Sequence, residues 1–179
     1  MDRYDSTDWA TIPPWSQTSF FGIRAQGRVF VYVVDCSGSM ADAERLTRAK
    51  IELRRAIGSL QFPQRFHVIF YNEEALPMPG GLPRSPDTRA KTQLNTWLAQ
   101  IEAEGGTDPR GALKTALALQ PDAVFLLSDG SLPEKSAAEV AAGNRRRTPI
   151  HCIDLSSGSG GDQLRKIAAD SGGRYVRRP

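Results

Sequence analysis

The sequence contains no apolar run of membrane-spanning length, and it has only two cysteines and two histidines. A membrane helix needs about 20 consecutive apolar residues, so we predict no membrane span in this chain. Cys36 and Cys152 lie in or beside different predicted strands, and two cysteines do not make a disulfide framework. We expect both to be reduced and mostly buried. Neither His-Glu-x-x-His nor paired cysteines at zinc spacing occurs, which excludes the common zinc sites.

A strong excess of either charge is also missing. The chain has 23 lysines and arginines against 20 aspartates and glutamates, a net charge of +3. This balance is too mild to predict nucleic-acid binding. Its 179 residues are 40% hydrophobic and 24% charged, which is typical of one soluble domain, monomeric when isolated. The first residues lack a signal-peptide pattern. The sequence does not determine the compartment: the parent protein is either cytoplasmic, or longer than this chain and anchored in a membrane.

Residues 1–27 are polar and aromatic without a clear period, and we predict an N-terminal extension followed by one domain over residues 28–179. We expect the aromatic side chains of the extension to hold it on the surface of the domain. The alternative is a linker to a neighbouring domain. These aromatic residues are Trp9, Trp15, Phe20 and Phe21.

In the rest of the chain, apolar runs that suit buried strands alternate with segments of helical period. Residues 29–34 are a continuous β-branched and aromatic run, typical of a central strand buried on both faces. Leu46, Ala49 and Leu53 then recur at helical spacing, with Asp42 as the predicted N-cap. This alternation predicts an α/β domain with a mainly parallel sheet. The other predicted strands are 66–71, 75–78, 123–127, 150–155 and 174–176, and further helices are predicted at 87–104, 134–146 and 162–171.

The third predicted strand, residues 75–78, is expected to be short and to lie at the edge of the sheet. Pro77 and Pro79 cannot donate ladder hydrogen bonds, and sheets confine proline to their edges. The turn before this strand is so short that the strand must run antiparallel to its neighbour.

Three short oxygen-rich segments lie at the ends of the predicted elements. Residues 35–39 (Asp-Cys-Ser-Gly-Ser) and 128–130 (Ser-Asp-Gly) follow two apolar strands, and residues 105–108 (Gly-Gly-Thr-Asp) precede a helical segment. In a doubly wound sheet, segments that leave the carboxyl ends of neighbouring strands meet in one crevice. Two carboxylates and three hydroxyls would converge there, and they suit a small divalent cation such as magnesium. Each segment alone is an ordinary turn or cap, so it is their combination that predicts a metal site.

With these segments the chain resembles the von Willebrand factor type A domain, and we interpret it as a bacterial-type member. That family carries a metal-ion-dependent adhesion site made of Asp-x-Ser-x-Ser after the first strand, a later Thr, and an Asp after the fourth strand. The resemblance covers about residues 28–177. It implies a doubly wound, Rossmann-like three-layer sandwich, with helices on both faces of a six-stranded sheet in the order 3-2-1-4-5-6. The matching metal ligands are Asp35, Ser37, Ser39, Thr107 and Asp129.

The same resemblance implies a binding module and not an enzyme. Family members typically engage an Asp or Glu of a protein partner through the metal, so we expect magnesium, with manganese or calcium as alternatives, and an acidic protein partner. So few anionic ligands should leave the ion able to accept one more carboxylate. Two alternatives stay open. One is an enzyme that uses the cation for phosphoryl transfer or hydrolysis, and the other is a structural module that docks another domain of a larger parent protein.

The sequence offers little to the enzyme alternative. A phosphatase loop of the Cys-x5-Arg type starting at Cys36 would need arginine at position 42, which is Asp42. A metal-dependent hydrolase needs a general base near the ion, and no His, Lys or Cys is predicted to serve there. His67 and His151 lie near predicted strand starts, at the opposite end of the sheet. We interpret both histidines as structural.

Overall fold

The computed structural model describes residues 7–130, 132–158 and 160–179. The strands in this part of the chain are β1 (Gln17–Phe20), β2 (Ile23–Gln26), β3 (Val29–Asp35), β4 (Arg65–Tyr71), β5 (Ala75–Pro77), β6 (Ala123–Ser128), β7 (Ile150–Asp154) and β8 (Tyr175–Arg177). The α-helices are α1 (Arg45–Gly58), α2 (Thr88–Leu98), α3 (Arg110–Ala118), α4 (Ser136–Gly143) and α5 (Asp162–Ser171). None of the helices in the described ranges is both long enough and apolar enough to cross a membrane.

Six strands form one sheet in the order β5-β4-β3-β6-β7-β8. Only the β4–β5 pair is antiparallel, and the other four pairs are parallel. The predicted order 3-2-1-4-5-6 is therefore confirmed, together with the short antiparallel edge strand that contains Pro77. The chain passes from β3 to β4 on one side and resumes at β6 on the other. The topological switch point lies between β3 and β6, where such folds bind their ligands.

Helices cover both faces of the sheet, so the predicted three-layer architecture is also confirmed. On one face Phe30, Tyr32 and Val34 of β3 pack in a core that includes α1, α2 and the β1–β2 hairpin. On the other face Val31 and Val33 pack with α3, α4 and α5. All five side chains are 0% exposed. Burial on both faces explains why β3 has no alternation of apolar and polar residues.

The β1–β2 hairpin lies inside the predicted extension and was not predicted. Its turn residues, Phe21 and Gly22, have φ of 47° and 82°, the positive values that a tight hairpin turn requires. Phe20 is 0% exposed, with its ring centroid 5.1 Å from that of Tyr32 and 5.5 Å from that of Phe125. The extension thus reaches the core of the domain, deeper than the surface contact we expected. Its residues 1–6 lie outside the described residues.

The tryptophans of the extension do lie on the surface, as expected. Trp15 is 40% exposed, and the guanidinium of Arg28 lies 5.3 Å from the centre of its ring. Arg24 covers Trp9 in the same way at 5.9 Å. These cation–π contacts hold two large rings against the domain without burying them.

Helix α1 begins later than the sequence predicted. Residues 38–44 form a 3₁₀ stretch with a kink, in which Ala43 and Glu44 have φ of 50° and 54°. The α-helix starts only at Arg45, and its N-terminal flanking residue is Glu44. The prediction of Asp42 as the N-cap is therefore wrong, because the chain makes a left-handed turn between Asp42 and the helix.

Helix α2 ends at Leu98, short of the predicted end at residue 104. The residues that follow pair with the loop after β3 and do not extend the helix. Glu104 N donates to Cys36 O at 2.9 Å, and Gly105 O accepts from Gly38 N at 3.0 Å. These tertiary hydrogen bonds bring the second oxygen-rich segment against the first.

Candidate metal centre

Asp35 ends the central strand β3 and is 0% exposed. Its Oδ1 accepts a hydrogen bond from Ser37 N at 2.7 Å. Its Oδ2 accepts from Ser128 Oγ at 3.2 Å and from Asp129 N at 3.4 Å. These donors are neutral, and no Lys, Arg or His among the described residues forms an ion pair with this carboxylate. The charge of Asp35 is solvated by dipoles but is not neutralised.

Burial raises the pKa of Asp35 to about 6, and the nearby charge of Asp129 acts in the same direction, while the hydrogen bonds from Ser37 oppose the shift. The charged form is therefore costly at this position. A bound cation would reverse that effect, because it stabilises the carboxylate.

Asp129 follows β6, the strand next to β3, and is 6% exposed. Its Oδ1 is buried and accepts no hydrogen bond from any described residue. Its Oδ2 lies 3.4 Å from Arg45 Nη1. Buried polar atoms are almost always satisfied, so the orphaned oxygen calls for a cation or a water. The donor set beside Asp35 thus fits a small hard cation.

The two serines of the first loop face each other. Ser37 Oγ and Ser39 Oγ lie 3.2 Å apart. Ser37 is 1% exposed, and Ser39 is exposed. The pair of hydroxyls leads from the buried Asp35 to the surface, which suits an ion that must stay accessible from outside.

Thr107 lies in a loop that is tied down on both sides. Gly105 O accepts from Gly38 N at 3.0 Å before it, and Asp108 N donates to Asn72 O at 2.8 Å after it. Thr107 itself is half-buried. The contact with Gly38 brings this loop to the one that carries Ser37 and Ser39, so the second oxygen-rich segment lies beside the first.

Glu73, in the turn between β4 and β5, holds the same loop. Its Oε2 accepts a hydrogen bond from Gly106 N. Gly105 has φ of +78°, and a side chain there would collide with the Glu73 carboxylate. The positive φ favours glycine at position 105, and any side chain there would also displace the Glu73 carboxylate from Gly106.

Three residues of this site were not predicted from the sequence: Arg45, Glu73 and Ser128. Ser128 stands within one of the three segments, and its hydroxyl was not recognised as a donor to Asp35. Glu73 and Arg45 gave no signal, because their contacts depend on how two turns fold back toward the strand ends.

Asp154, at the end of β7, forms the same turn as Asp35 but has different partners. Ser156 N donates to Asp154 Oδ1 at 2.8 Å. Here Tyr175 OH donates to Oδ2 at 2.6 Å, and Arg177 Nη2 lies 3.6 Å from the same oxygen. Tyr175 and Arg177 thus stabilise the charge of Asp154 from within the protein. Of the two turns, only the one at Asp35 leaves its carboxylate without a positive partner among the described residues.

The described residues contain no group of three or more His, Cys, Asp or Glu side chains placed to hold a metal. A metal at the switch point would depend on two carboxylates and on hydroxyl oxygens. That composition suits a cation that prefers oxygen and keeps several waters.

The profile of the family described as von Willebrand factor type A domain matches residues 29–177. The chain belongs to this family. Among solved structures with the same fold, von Willebrand factor type A from Catenulispora acidiphila is 22% identical with a TM-score of 0.77, over 85% of this chain and 38% of that one. The manganese-loaded TRAP protein of Plasmodium vivax is 21% identical with a TM-score of 0.62, over 84% and 68% of the two chains.

Proximal thread matrix protein 1 from the mussel byssus, solved with a zinc occupied MIDAS motif, is 19% identical to the A domain described here. The TM-score is 0.65, over 84% of this chain and 41% of that one. The A domain thus spans less than half the length of the Catenulispora and mussel chains. At these identities the likeness establishes the fold.

Proposed function

We propose that the A domain is a divalent-metal-dependent module that binds a protein partner through a magnesium ion. The observation that carries the proposal is the buried, unpartnered Oδ1 of Asp129 next to the buried carboxylate of Asp35. Manganese and calcium are the alternative ions. The solved relatives described as manganese-loaded and zinc-occupied support a metal at this position. The proposed ligands are Asp35, Ser37, Ser39, Thr107 and Asp129.

The partner's contribution follows from the charge of this donor set. Only Asp35 and Asp129 are anionic, and both are buried, whereas Ser39 is exposed. When bound, the ion supplies a positive centre that accepts one further oxygen from outside. A carboxylate of the partner, from Asp or Glu, is the natural group for that position. The chain's own residues hold the ion and exclude water from its inner side.

We propose that the site binds and does not catalyse. Cys36 Sγ faces Tyr71 O at 3.4 Å, and burial raises the pKa of its thiol to about 12, so it is not a thiolate nucleophile at neutral pH. His67 stands four residues before Tyr71, the residue that ends β4 beside Asp35. Proton transfer requires a base within hydrogen-bond reach, and the described contacts of Asp35 and Asp129 include no candidate.

Binding of a carboxylate should require the metal. We expect an immobilised peptide library with a central Asp or Glu to capture the domain with magnesium or manganese present. Capture should be lost with a chelator and lost with a matched Asn or Gln library. Truncation of one side of a desolvated charge contact typically costs about 2–5 kcal/mol.

Thr107→Ala should weaken this capture several-fold, because its hydroxyl is one of the proposed ligands. Thr115→Ala is the matched control, since Thr115 lies on the exposed side of α3 and donates only to Gly111 O. Capture that persists in chelator would contradict the metal bridge. Metal-dependent turnover in a phosphatase and nucleotidase screen that is lost in Asp35→Ala would contradict the binding module. It would support the alternative of a metal-dependent enzyme.

A further inference from the structure

Arg45 brings a positive charge to the proposed metal site. Its Nη1 lies 3.4 Å from Asp129 Oδ2 and 3.4 Å from the backbone carbonyl oxygen of Ser39. The side chain of Arg45 is 15% exposed, and that of Asp129 is 1% exposed. Arg45 therefore contacts a residue from each of two loops that supply proposed ligands, and it does so at the edge between protein and solvent.

The backbone before Arg45 is shaped to place it there. Ala43 and Glu44 both have positive φ, 50° and 54°, and α1 starts at the next residue. Residues other than glycine rarely adopt this conformation, and such strain tends to persist at ligand-binding sites. The left-handed turn lets a residue of the first helical turn reach back to Ser39 and Asp129.

A guanidinium at this position has two consequences for a site that holds a cation. It is always charged, so it opposes a divalent ion that approaches the same Asp129 carboxylate. It also carries several N–H donors in a planar fork, which suits a carboxylate better than any other side chain does. The first effect weakens binding of the ion, and the second strengthens binding of an acidic ligand beside the ion.

We propose that Arg45 is a specificity-determining residue, which lowers the affinity of the site for the free cation and binds the partner's carboxylate together with the ion. This inference rests on the proposed function. It adds that the acidic group is held by two positive centres, one from the metal and one from the chain. Because the two effects have opposite signs, a single substitution can separate them.

The test compares Arg45→Gln and Arg45→Lys with the wild-type domain. Titration calorimetry with magnesium chloride should give Arg45→Gln a cation affinity about tenfold higher, because the opposing charge is gone. Capture by the Asp/Glu peptide library at saturating metal should fall by about tenfold. Arg45→Lys keeps the charge without the fork, so its cation affinity should stay near wild type while capture still falls.

Arg48→Ala is the matched control, one turn further along α1. Its guanidinium donates to Arg178 O at 3.1 Å and to Pro179 O at 3.3 Å, away from the site. The magnesium titration and the peptide capture should both give wild-type values for this variant. Thermal melts of all variants show whether each is folded, and Arg45→Gln keeps most of the aliphatic stem.

Unchanged cation affinity and unchanged capture in Arg45→Gln would overturn the inference about Arg45. A lower cation affinity would also overturn it, because Arg45 would then only support the fold of the site. Failure of the proposed function has its own signature. In that case the wild-type domain binds neither magnesium nor manganese in the calorimeter, and both proposals fall.

Discussion

Asp35→Ala should abolish magnesium binding by the domain and leave the fold intact. Asp35 is the buried carboxylate at the switch point, and of the two proposed anionic ligands it is the more deeply buried. We expect a loss of more than about 100-fold in affinity, because removal of one partner of a buried charge contact costs about 3–5 kcal/mol. Titration calorimetry measures the affinity, and circular dichroism reports the fold.

Asp154→Ala is the matched control. Asp154 has the same turn and the same burial, but its charge is met by Tyr175 and Arg177. This variant should lose stability and keep its magnesium affinity. Undiminished magnesium affinity in Asp35→Ala, or an equal loss of affinity in both variants, would contradict a metal site at the switch point.

Asp35→Asn separates the charge from the shape of the side chain. The folded pKa of Asp35, about 6, lies above the ordinary value of 3.8. The protonated carboxyl therefore contributes its full stabilisation to the folded state below pH 4, and this contribution is lost as the pH rises through 6. Without metal, the variant should therefore exceed the wild type in stability by about 1–3 kcal/mol at pH 7. The difference should vanish near pH 4, and urea unfolding at the two pH values measures it.

Phe20→Ala should destabilise the domain by about 3–5 kcal/mol, the usual cost of removing a buried phenylalanine. The ring is 0% exposed and packs between Tyr32 and Phe125 in the core under α1. For a chain of this size we expect the midpoint of thermal unfolding to fall by about 10 °C or more. Urea unfolding gives the free energy directly.

Trp15→Ala is the control within the same extension, because that ring is 40% exposed. Its effect should stay below about 1 kcal/mol. If Phe20→Ala cost no more than Trp15→Ala, the hairpin would be an appendage, and a domain boundary at residue 28 would stand. A large cost would mean that the folding unit begins at or before Gln17.

The sheet was predictable because its signals are local in sequence. The apolar run at residues 29–34 and the two prolines near residue 78 indicate which strand is central and which is at the edge. The five proposed ligands were identifiable for a related reason. Asp35, Ser37 and Asp129 lie at or just beyond the ends of two strands, β3 and β6, which are neighbours in the sheet.

Features that depend on contacts between distant segments escaped prediction. Helix α2 stops at Leu98, and Glu104 bonds instead to Cys36, a residue far away in the sequence. The left-handed turn at Ala43 and Glu44 contradicts the local preference of both residues, so no pattern could indicate it. The left-handed turn precedes Arg45, which reaches Ser39 and Asp129 at the site.

Helix α1 connects the proposed metal site to two other segments of the domain. Glu52 accepts a hydrogen bond from Phe21 N in the hairpin at 2.8 Å, and Arg48 donates to Arg178 O, just after β8, at 3.1 Å. Arg45, at the first turn of the same helix, touches the site. The hairpin, the segment after β8 and the proposed metal site thus all contact one helix of 14 residues. A displacement of this helix along its axis would therefore move the guanidinium of Arg45 relative to Asp129.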